Sequence, residues 1–285
     1  MSSSMYYSVE EGLLTLGPEA VKIQSMLEKV FMNWALECGS SPMLFPSLMK
    51  VEDLVKFDYF KNFPHLGVVA SKISADHCSS YTTSGDEVTH ICSSHLSDGT
   101  YMLPSAACYN IYLHLQNSIL NQTQYISTIA RCYRNEEYYS GLKRLLSFNM
   151  REIVCIGTVE DVQSHLLSFK KKIADLAETL DLSLKTEIAT DPFFDKKSPK
   201  ALLQLISPVK EEFVYGDEVA IASVNFHRNF FGERCNIRMQ DNSYAFTGCV
   251  AFGIERWLHA ILDKYGDDLL TIESKFQELL CLQTI

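Results

Sequence analysis

The tightest limit on what this chain can fold into comes from two strand-like segments, residues 125–136 and 145–157, on either side of a polar stretch at 137–144. Both are rich in β-branched and aromatic residues, and the stretch between them is too long for a tight turn, so the pair reads as a long-looped antiparallel hairpin. Residues two apart in a strand share a face. Cys132, Arg134 and Glu136 therefore point one way on the first strand, and Phe148, Met150 and Glu152 share a face of the second. One face of each strand has to be mostly buried, and unpaired buried charge is costly. Either an Arg–Glu pair closes the sheet, or the charges serve a site.

The rest of the chain supplies elements to flank that hairpin. Gly17-Pro18 opens a helix in which Val21, Ile23, Met26, Leu27, Val30, Phe31 and Trp34 recur at helical spacing until Gly39. Residues 40–99, broken by Pro42, Pro46, Pro64 and Gly67, read as short strands and loops. Pro104-Ser105 is expected to start a second helix, with Ser105 as its cap and Ile111, Leu113, Leu115 and Ile119 on its apolar side. Thr158-Val-Glu-Asp161 resembles a capping box and leads into Val162, Leu166, Phe169, Ile173, Leu176 and Leu180. After a loop at 191–194 with Lys196, Lys197 and Lys200 beyond it, a β-rich stretch runs over 213–249 and a helix carries Ile254, Trp257, Leu258, Ile261 and Leu262. Strands and helices do not alternate regularly, so the expected class is α+β: an antiparallel β-sheet flanked by helices.

At 285 residues the chain is near the size at which one core stops growing, and one domain over 1–285 is expected. Apolar residues make up 47% and charged residues 21%, an ordinary globular balance. The net charge of −10 excludes whole-molecule attraction to a phosphate backbone. The longest apolar run, 244–254, is too short to cross a bilayer. Residues 1–10 lack the basic and apolar regions of a secretory leader, so a cytoplasmic location is expected. Nine scattered cysteines, an odd number with no CxxC pair, are expected to be thiols, a few of them available to metal.

Gly253-Ile254-Glu255-Arg256 adds a glycine and a helix-borne arginine suited to an anion or nucleotide. Tyr133-Arg134-Asn135-Glu136 with Ser147-Phe148 and Arg151-Glu152 resembles motif 2 of the class II aminoacyl-tRNA synthetases, and Gly253-Ile254-Glu255-Arg256 resembles motif 3. Pro46 would be the motif 1 proline, with a weaker match around Tyr59-Phe60 to Pro64-His65. Leu103-Pro-Ser-Ala-Ala-Cys108, Asp191-Pro-Phe-Phe194, Ser223-Val-Asn-Phe-His227 with Phe231-Gly232, and the run from Thr247 to Arg256 resemble a subgroup. These are the amino acid:[carrier protein] ligases, truncated relatives of the zinc-containing seryl-tRNA synthetases. The likeness spans about residues 15–265.

The resemblance implies a class II synthetase-like catalytic domain with Zn²⁺, ATP and Mg²⁺. It places the zinc ligands on Cys108, Glu152 and Cys249, 44 and 97 residues apart, so that only a tertiary fold assembles them. Two thiolates and a carboxylate suit Zn²⁺ and leave a fourth position open, which in the family takes the amino group of the amino acid. Cys132 is the competing thiol. For ATP it implies Arg134 on the α-phosphate, Phe148 stacked on adenine, and Arg256 on the other adenine face and the terminal phosphates. Arg134, Glu136 and Arg256 are the expected catalytic residues, with Glu136 on the adenine amino group and Glu218 and Asn225 facing Mg²⁺ or the amino acid. His227 stands as either a structural or a catalytic histidine.

The expected activity is ATP-dependent activation of a small amino acid, glycine or alanine, as the aminoacyl-adenylate, then transfer to the phosphopantetheine thiol of a carrier protein. The alternatives are a silent synthetase paralogue, against which retention of these residues argues, and a free-standing seryl-type synthetase. The latter and tRNA are disfavoured because no tRNA-binding extension is seen outside 15–265. A homodimer pairing through residues 43–63 is expected, as is a basic docking patch at Lys170, Lys171 and Lys172 or at Lys196, Lys197 and Lys200. Two departures from the subgroup put the amino-acid pocket in question: Asp195-Lys-Lys-Ser-Pro199 after Phe194, and Phe246 and Gly248 ahead of Cys249.

Overall fold

The computed structural model describes residues 2–3, 6–82, 88–216 and 218–282, so Met1, Ser4 and Met5 of the leader reading lie outside the described residues. The periodic segment after Gly17 is helix α1 (Pro18–Glu37). Pro18 sits in its first turn, where the missing N–H costs nothing, and Gly39 takes φ +74° just beyond its end. Ile23, Leu27, Val30 and Phe31 are wholly buried along one side. Each contributes about 1.5–3 kcal/mol relative to exposure, so this stripe pins the helix to the sheet.

The main sheet is built from β1 (Ser41–Pro42), β2 (Gln124–Tyr133) and β3 (Ser147–Gly157). After helix α2 (Val159–Thr179) come β4 (Leu184–Ala189), helix α3 (Pro199–Ile206), β5 (Lys210–Tyr215), β6 (Val219–Arg228) and β7 (Phe246–Gly253). Helices α4 (Ile254–Tyr265) and α5 (Leu269–Leu282) follow. The seven strands lie in the order β4-β5-β6-β7-β3-β2-β1, all antiparallel except the short parallel pair β1–β2. The fold is α+β, an antiparallel sheet flanked by helices. Crossovers put β7, from late in the chain, beside β3, and that juxtaposition builds the site.

The hairpin β2–β3 pairs Cys132 with Phe148, Ala130 with Met150 and Thr128 with Glu152. The neighbouring strand pairs Ala251 with Glu152 and Cys249 with Val154, and β6 sets Asn225 against Cys249. Directly opposed residues share a face, so Phe148, Met150, Glu152, Cys249 and Asn225 stand on one side of the sheet. The alternate residues Ile153, Cys155, Val250, Phe252 and Val224 stand on the other and form the main core with α1, α2, α4 and α5. Phe31 of α1 stacks on Phe252 there, with ring centroids 4.1 Å apart. A second core on the site face joins Val154 and Ile156 to Leu54, Phe57, Ile111, Tyr112 and Phe231.

Thr158 caps α2 as its sequence suggests, accepting a hydrogen bond from the Asp161 N–H. The helix expected after Ser105 is shorter, Tyr109–His114, and Ile119 is exposed in a two-residue strand. The cause lies in the hairpin: Pro104 O accepts from Tyr133 N and Ser105 O from the Arg134 guanidinium, which holds residues 104–105 off the helical path. Helix α3 was not foreseen. Its leucines Leu202, Leu203 and Leu205 are exposed rather than gathered into a buried stripe, although Ser198 caps it. All eight described cysteines are free thiols.

Candidate active site

Two adjoining cavities open on the site face, and Arg134, Met150, Lys210, Ser223 and Ala251 line both. The smaller also takes Glu136, Phe148, Glu212, Gly253 and Arg256. The larger, about 380 Å³, is lined by Cys108, Glu152 and Cys249 and also by Lys200, Leu203 and Phe230. Arg134 thus stands where the two compartments meet.

Cys108, at the start of the helix Tyr109–His114, meets Glu152 of β3 and Cys249 of β7. Their ligand atoms all lie within 4.8 Å of one another and all three residues are buried. The crowding of acidic groups is visible in their chemistry. The Cys108 thiol is pushed up well above its ordinary value by its contact with Cys249 and by burial, and burial with the Cys249 charge pushes the Glu152 carboxyl up. Cys249 is pulled well down, chiefly by the Cys108 thiol donating to it and further by His227 and Asn225. Glu152 Oε2 is buried with no hydrogen-bond partner. A divalent cation among them would satisfy that oxygen and let all three groups ionise, so the donor set fits Zn²⁺. Cys132 is wholly buried beside Ala107, Met150 and Ala251 and is not part of this trio.

The neighbours of Cys249 are polar and ordered. Asn225 Nδ2 donates to its Sγ at 3.4 Å and to Ser223 Oγ at 3.1 Å. His227 Nε2 lies 3.7 Å from the same sulfur, while its Nδ1 is 3.3 Å from both Tyr112 Oη and Thr247 Oγ1. Tyr112 stacks on Phe231 at 3.9 Å, and His227 meets that ring edge-on. His227 and Phe231 line the large cavity next to Cys249, with Tyr112 packed behind them. Gly248 is turned to the opposite face, where an added Cβ would come within 2.7 Å of Val162 Cγ1. This departure therefore fits α2 against the sheet and leaves the pocket wall unchanged.

On the other side of Arg134, its guanidinium faces the Phe148 ring at 5.2 Å and donates to Ser105 O. Arg256 is fixed in the first turn of α4 by bonds to Lys143 O at 2.9 Å and Ala220 O at 3.0 Å. Burial, with repulsion from Arg134, lowers its pKa to about 10. Two guanidiniums and the N-terminus of a helix facing one small cavity favour an anion. Glu136 lies in the same cavity and is paired with Arg144 at 2.8 Å.

Several expected residues stand elsewhere. Glu218 is exposed in the turn before β6 and lines neither cavity; the carboxylate that lines the smaller one from this part of the sheet is Glu212, opposite Ser223. Glu212 lies six residues earlier, within β5, and only the pairing of β5 with β6, which sets it against Ser223, brings it to the cavity. Arg151 faces α1, bonded to Glu28 at 2.7 Å and Ser127 at 3.0 Å, because it is out of phase with Glu152. Lys170 pairs with Glu211, Lys171 with Asp175 and Lys172 with Glu37, which cancels that cluster as a basic patch. Lys200, by contrast, lines the large cavity with its ammonium 4.0 Å from the Phe230 ring centroid, and burial lowers its pKa.

Residues 91–265 match the tRNA synthetase class II core domain (G, H, P, S and T). Across 87% of its length the chain is 31% identical to amino acid–[acyl-carrier-protein] ligase 1 of Bradyrhizobium diazoefficiens, covering 78% of that protein. It is 29% identical to a type-2 serine–tRNA ligase of Methanococcus aeolicus over 88% of its own length, spanning about half (52%) of that longer protein. Among solved structures, the seryl-tRNA synthetase of M. kandleri, in complex with the tRNASec of A. aeolicus, superposes with a TM-score of 0.80 at 19% identity. That match covers 95% of this chain and 57% of the synthetase.

Proposed function

The chain belongs to the amino acid–[acyl-carrier-protein] ligase family, built on the class II tRNA synthetase core domain, and from that premise we propose that it activates glycine or alanine with ATP and delivers it to a carrier-protein thiol. The observation that carries this reading is the meeting of an anion-favouring cavity and a Cys/Glu/Cys cavity at Arg134. In-line displacement at the α-phosphate requires both reactants at one point, and positioning with charge stabilisation does most of the work.

In the first step a carboxylate oxygen of the amino acid attacks the α-phosphorus, the bond to the bridging oxygen breaks, and pyrophosphate leaves. Arg134 holds the α-phosphate, Arg256 the terminal phosphates, and Phe148 and Glu136 the adenine. Glu212 and Ser223 offer hard oxygen donors for Mg²⁺ on the phosphates. Cys108, Glu152 and Cys249 would hold a zinc ion, which would supply a Lewis-acid anchor for the substrate amino group. Asn225 orients the Cys249 sulfur from behind. In the second step the pantetheine thiolate attacks the carbonyl carbon and AMP leaves with the C–O electron pair, giving a thioester.

His227 and Phe231, backed by Tyr112, line the cavity beside Cys249 and support a small side chain. The remainder of the 380 Å³ cavity exceeds what glycine needs and suits the pantetheine arm, reaching the surface near Lys200, Leu203 and Phe230. The loop with Lys196, Lys197 and Lys200 is then the docking patch for an acidic carrier. Residues 43–63 expose Leu44, Leu48, Val55 and Phe60, apolar surface suited to a two-fold contact with a second copy.

Amino-acid-dependent ATP–pyrophosphate exchange, run across the amino acids, tests the substrate reading. Fastest exchange with glycine or alanine is expected. Fastest exchange with a bulky amino acid contradicts it.

A further inference from the structure

Strand β7 ends at Gly253, opposite Met150 of β3, and the chain turns there into α4. Strand β3 reaches three residues further towards the hairpin loop, Asn149, Phe148 and Ser147, and there β2 is its one strand neighbour among the described residues. The backbone groups of a strand alternate between its two sides, and the Asn149 N–H points to the side that β7 has left. Glu255, in the first turn of α4, fills the gap. Its two carboxylate oxygens each lie 2.9 Å from Asn149 N, and Oε1 also accepts from Asn149 Nδ2 at 3.0 Å.

Glu255 is 2% exposed and stands in the wall of the smaller cavity. Burying a carboxylate is costly, and burial pushes this one up to about 7. A leucine would close the strand end without that cost, but it would leave the Asn149 N–H without its acceptor. The bond joins residues whose neighbours face one cavity. Asn149 follows Phe148, the ring 5.2 Å from the Arg134 guanidinium, and Glu255 precedes Arg256, which is fixed to Lys143 O and Ala220 O. Glu152, on the same strand, is held differently: β2 and β7 both flank it, paired at Thr128 and Ala251. Loosening Glu255 therefore disturbs the Phe148 end of β3 and leaves the end with Cys108, Glu152 and Cys249 in place.

We propose that Glu255 is a positioning residue for the nucleotide: acting through Asn149, it sets the Phe148 ring at a fixed distance from Arg256, so that the base and the terminal phosphates are gripped together. This rests on the assignment of the smaller cavity to ATP. Glu255 does its work without touching the nucleotide, since both of its oxygens are taken up by Asn149.

Calorimetric titration with ATP and, separately, amino-acid saturation of ATP–pyrophosphate exchange read the two compartments apart. Glu255→Gln loses the charge and one acceptor; it should weaken ATP binding by about tenfold, the scale of a charge-assisted hydrogen bond, and keep the KM for the amino acid within about twofold of the parent. Asn149→Asp/Glu255→Gln reverses the polarity of the side-chain bond, with the amide donating and the carboxylate accepting, and should recover most of that loss. Asn149→Ala keeps the backbone bond and should weaken ATP binding in the same direction by less, which reads the clamp even where Glu255→Gln is too unstable to purify. Unchanged ATP binding in Glu255→Gln and in Asn149→Ala overturns the proposal. Equal losses for ATP and amino acid overturn it too, by making Glu255 a general structural residue, and so does a double variant no better than Glu255→Gln alone. A parent chain that binds no ATP overturns the cavity assignment itself, and differs from failure of the clamp because the parent is then the silent chain.

Discussion

The Arg134 guanidinium lies 5.2 Å from the centroid of the Phe148 ring, across the two strands of the hairpin, and is anchored to the Ser105 carbonyl. The β2–β3 register sets this relation, since Phe148 is paired with Cys132, two residues before Arg134. A nucleotide whose base lies on Phe148 therefore has its phosphates brought toward a cation that is already in place.

Removing that cation should be costly. Arg134→Ala and Arg256→Ala are each expected to lower ATP–pyrophosphate exchange by at least about 10²-fold, the scale of losing one preorganised transition-state donor. Near-normal exchange in both variants would show that the ATP site lies elsewhere, and no exchange in the parent chain would make it a silent paralogue.

The metal trio gives a second expectation. Cys108→Ala, Glu152→Ala and Cys249→Ala should each lose the active-site zinc, whereas Cys132→Ala should keep it, because Cys132 is buried outside the group of facing donors. Elemental analysis decides this, and loss of zinc on Cys132→Ala alone would reverse the assignment.

A third concerns acid stability. His165 is buried between Tyr125 and Phe169, with Nε2 facing Ile153 O at 3.3 Å, and burial lowers its pKa to about 4. Its folded value is depressed, so as pH falls below the unfolded value of about 6.5 the unfolded chain binds a proton that the folded chain refuses. Stability is lost through the window from about pH 6.5 to 4, by roughly 3 kcal/mol from this group. Urea unfolding of His165→Leu should show a shallower pH dependence over that window; an unchanged slope would mean that His165 protonates while folded.

The hairpin, its facing residues and the capped helix α2 were legible because each rests on a local period: two for the strands, near 3.6 for the helix. The trio Cys108, Glu152 and Cys249 was not legible from spacing and came only through family resemblance, since β7 reaches β3 by a crossover. The role of Gly248 was misread for want of a register. Once β7 is paired with β3, Gly248 must face α2, because Cys249 faces the cavity. Glu218 was assigned by resemblance and stands exposed in the turn between β5 and β6. Lys171 pairs with Asp175 one helical turn on, which the sequence does place beside it, whereas Lys170 and Lys172 pair with Glu211 and Glu37, which it does not. Helix α3 escaped notice because its apolar residues face outward, the reverse of the usual stripe.

The most direct measurement supplies labelled glycine or alanine and ATP to the chain with either phosphopantetheinylated carrier protein or total tRNA. With a net charge of −10, the chain lacks the positive field that several phosphate contacts along a long polyanion would need. Label is expected on the pantetheine thiol, released by hydroxylamine as a thioester is, and absent from tRNA. Label on tRNA and none on the thiol would contradict the account and make the chain a synthetase.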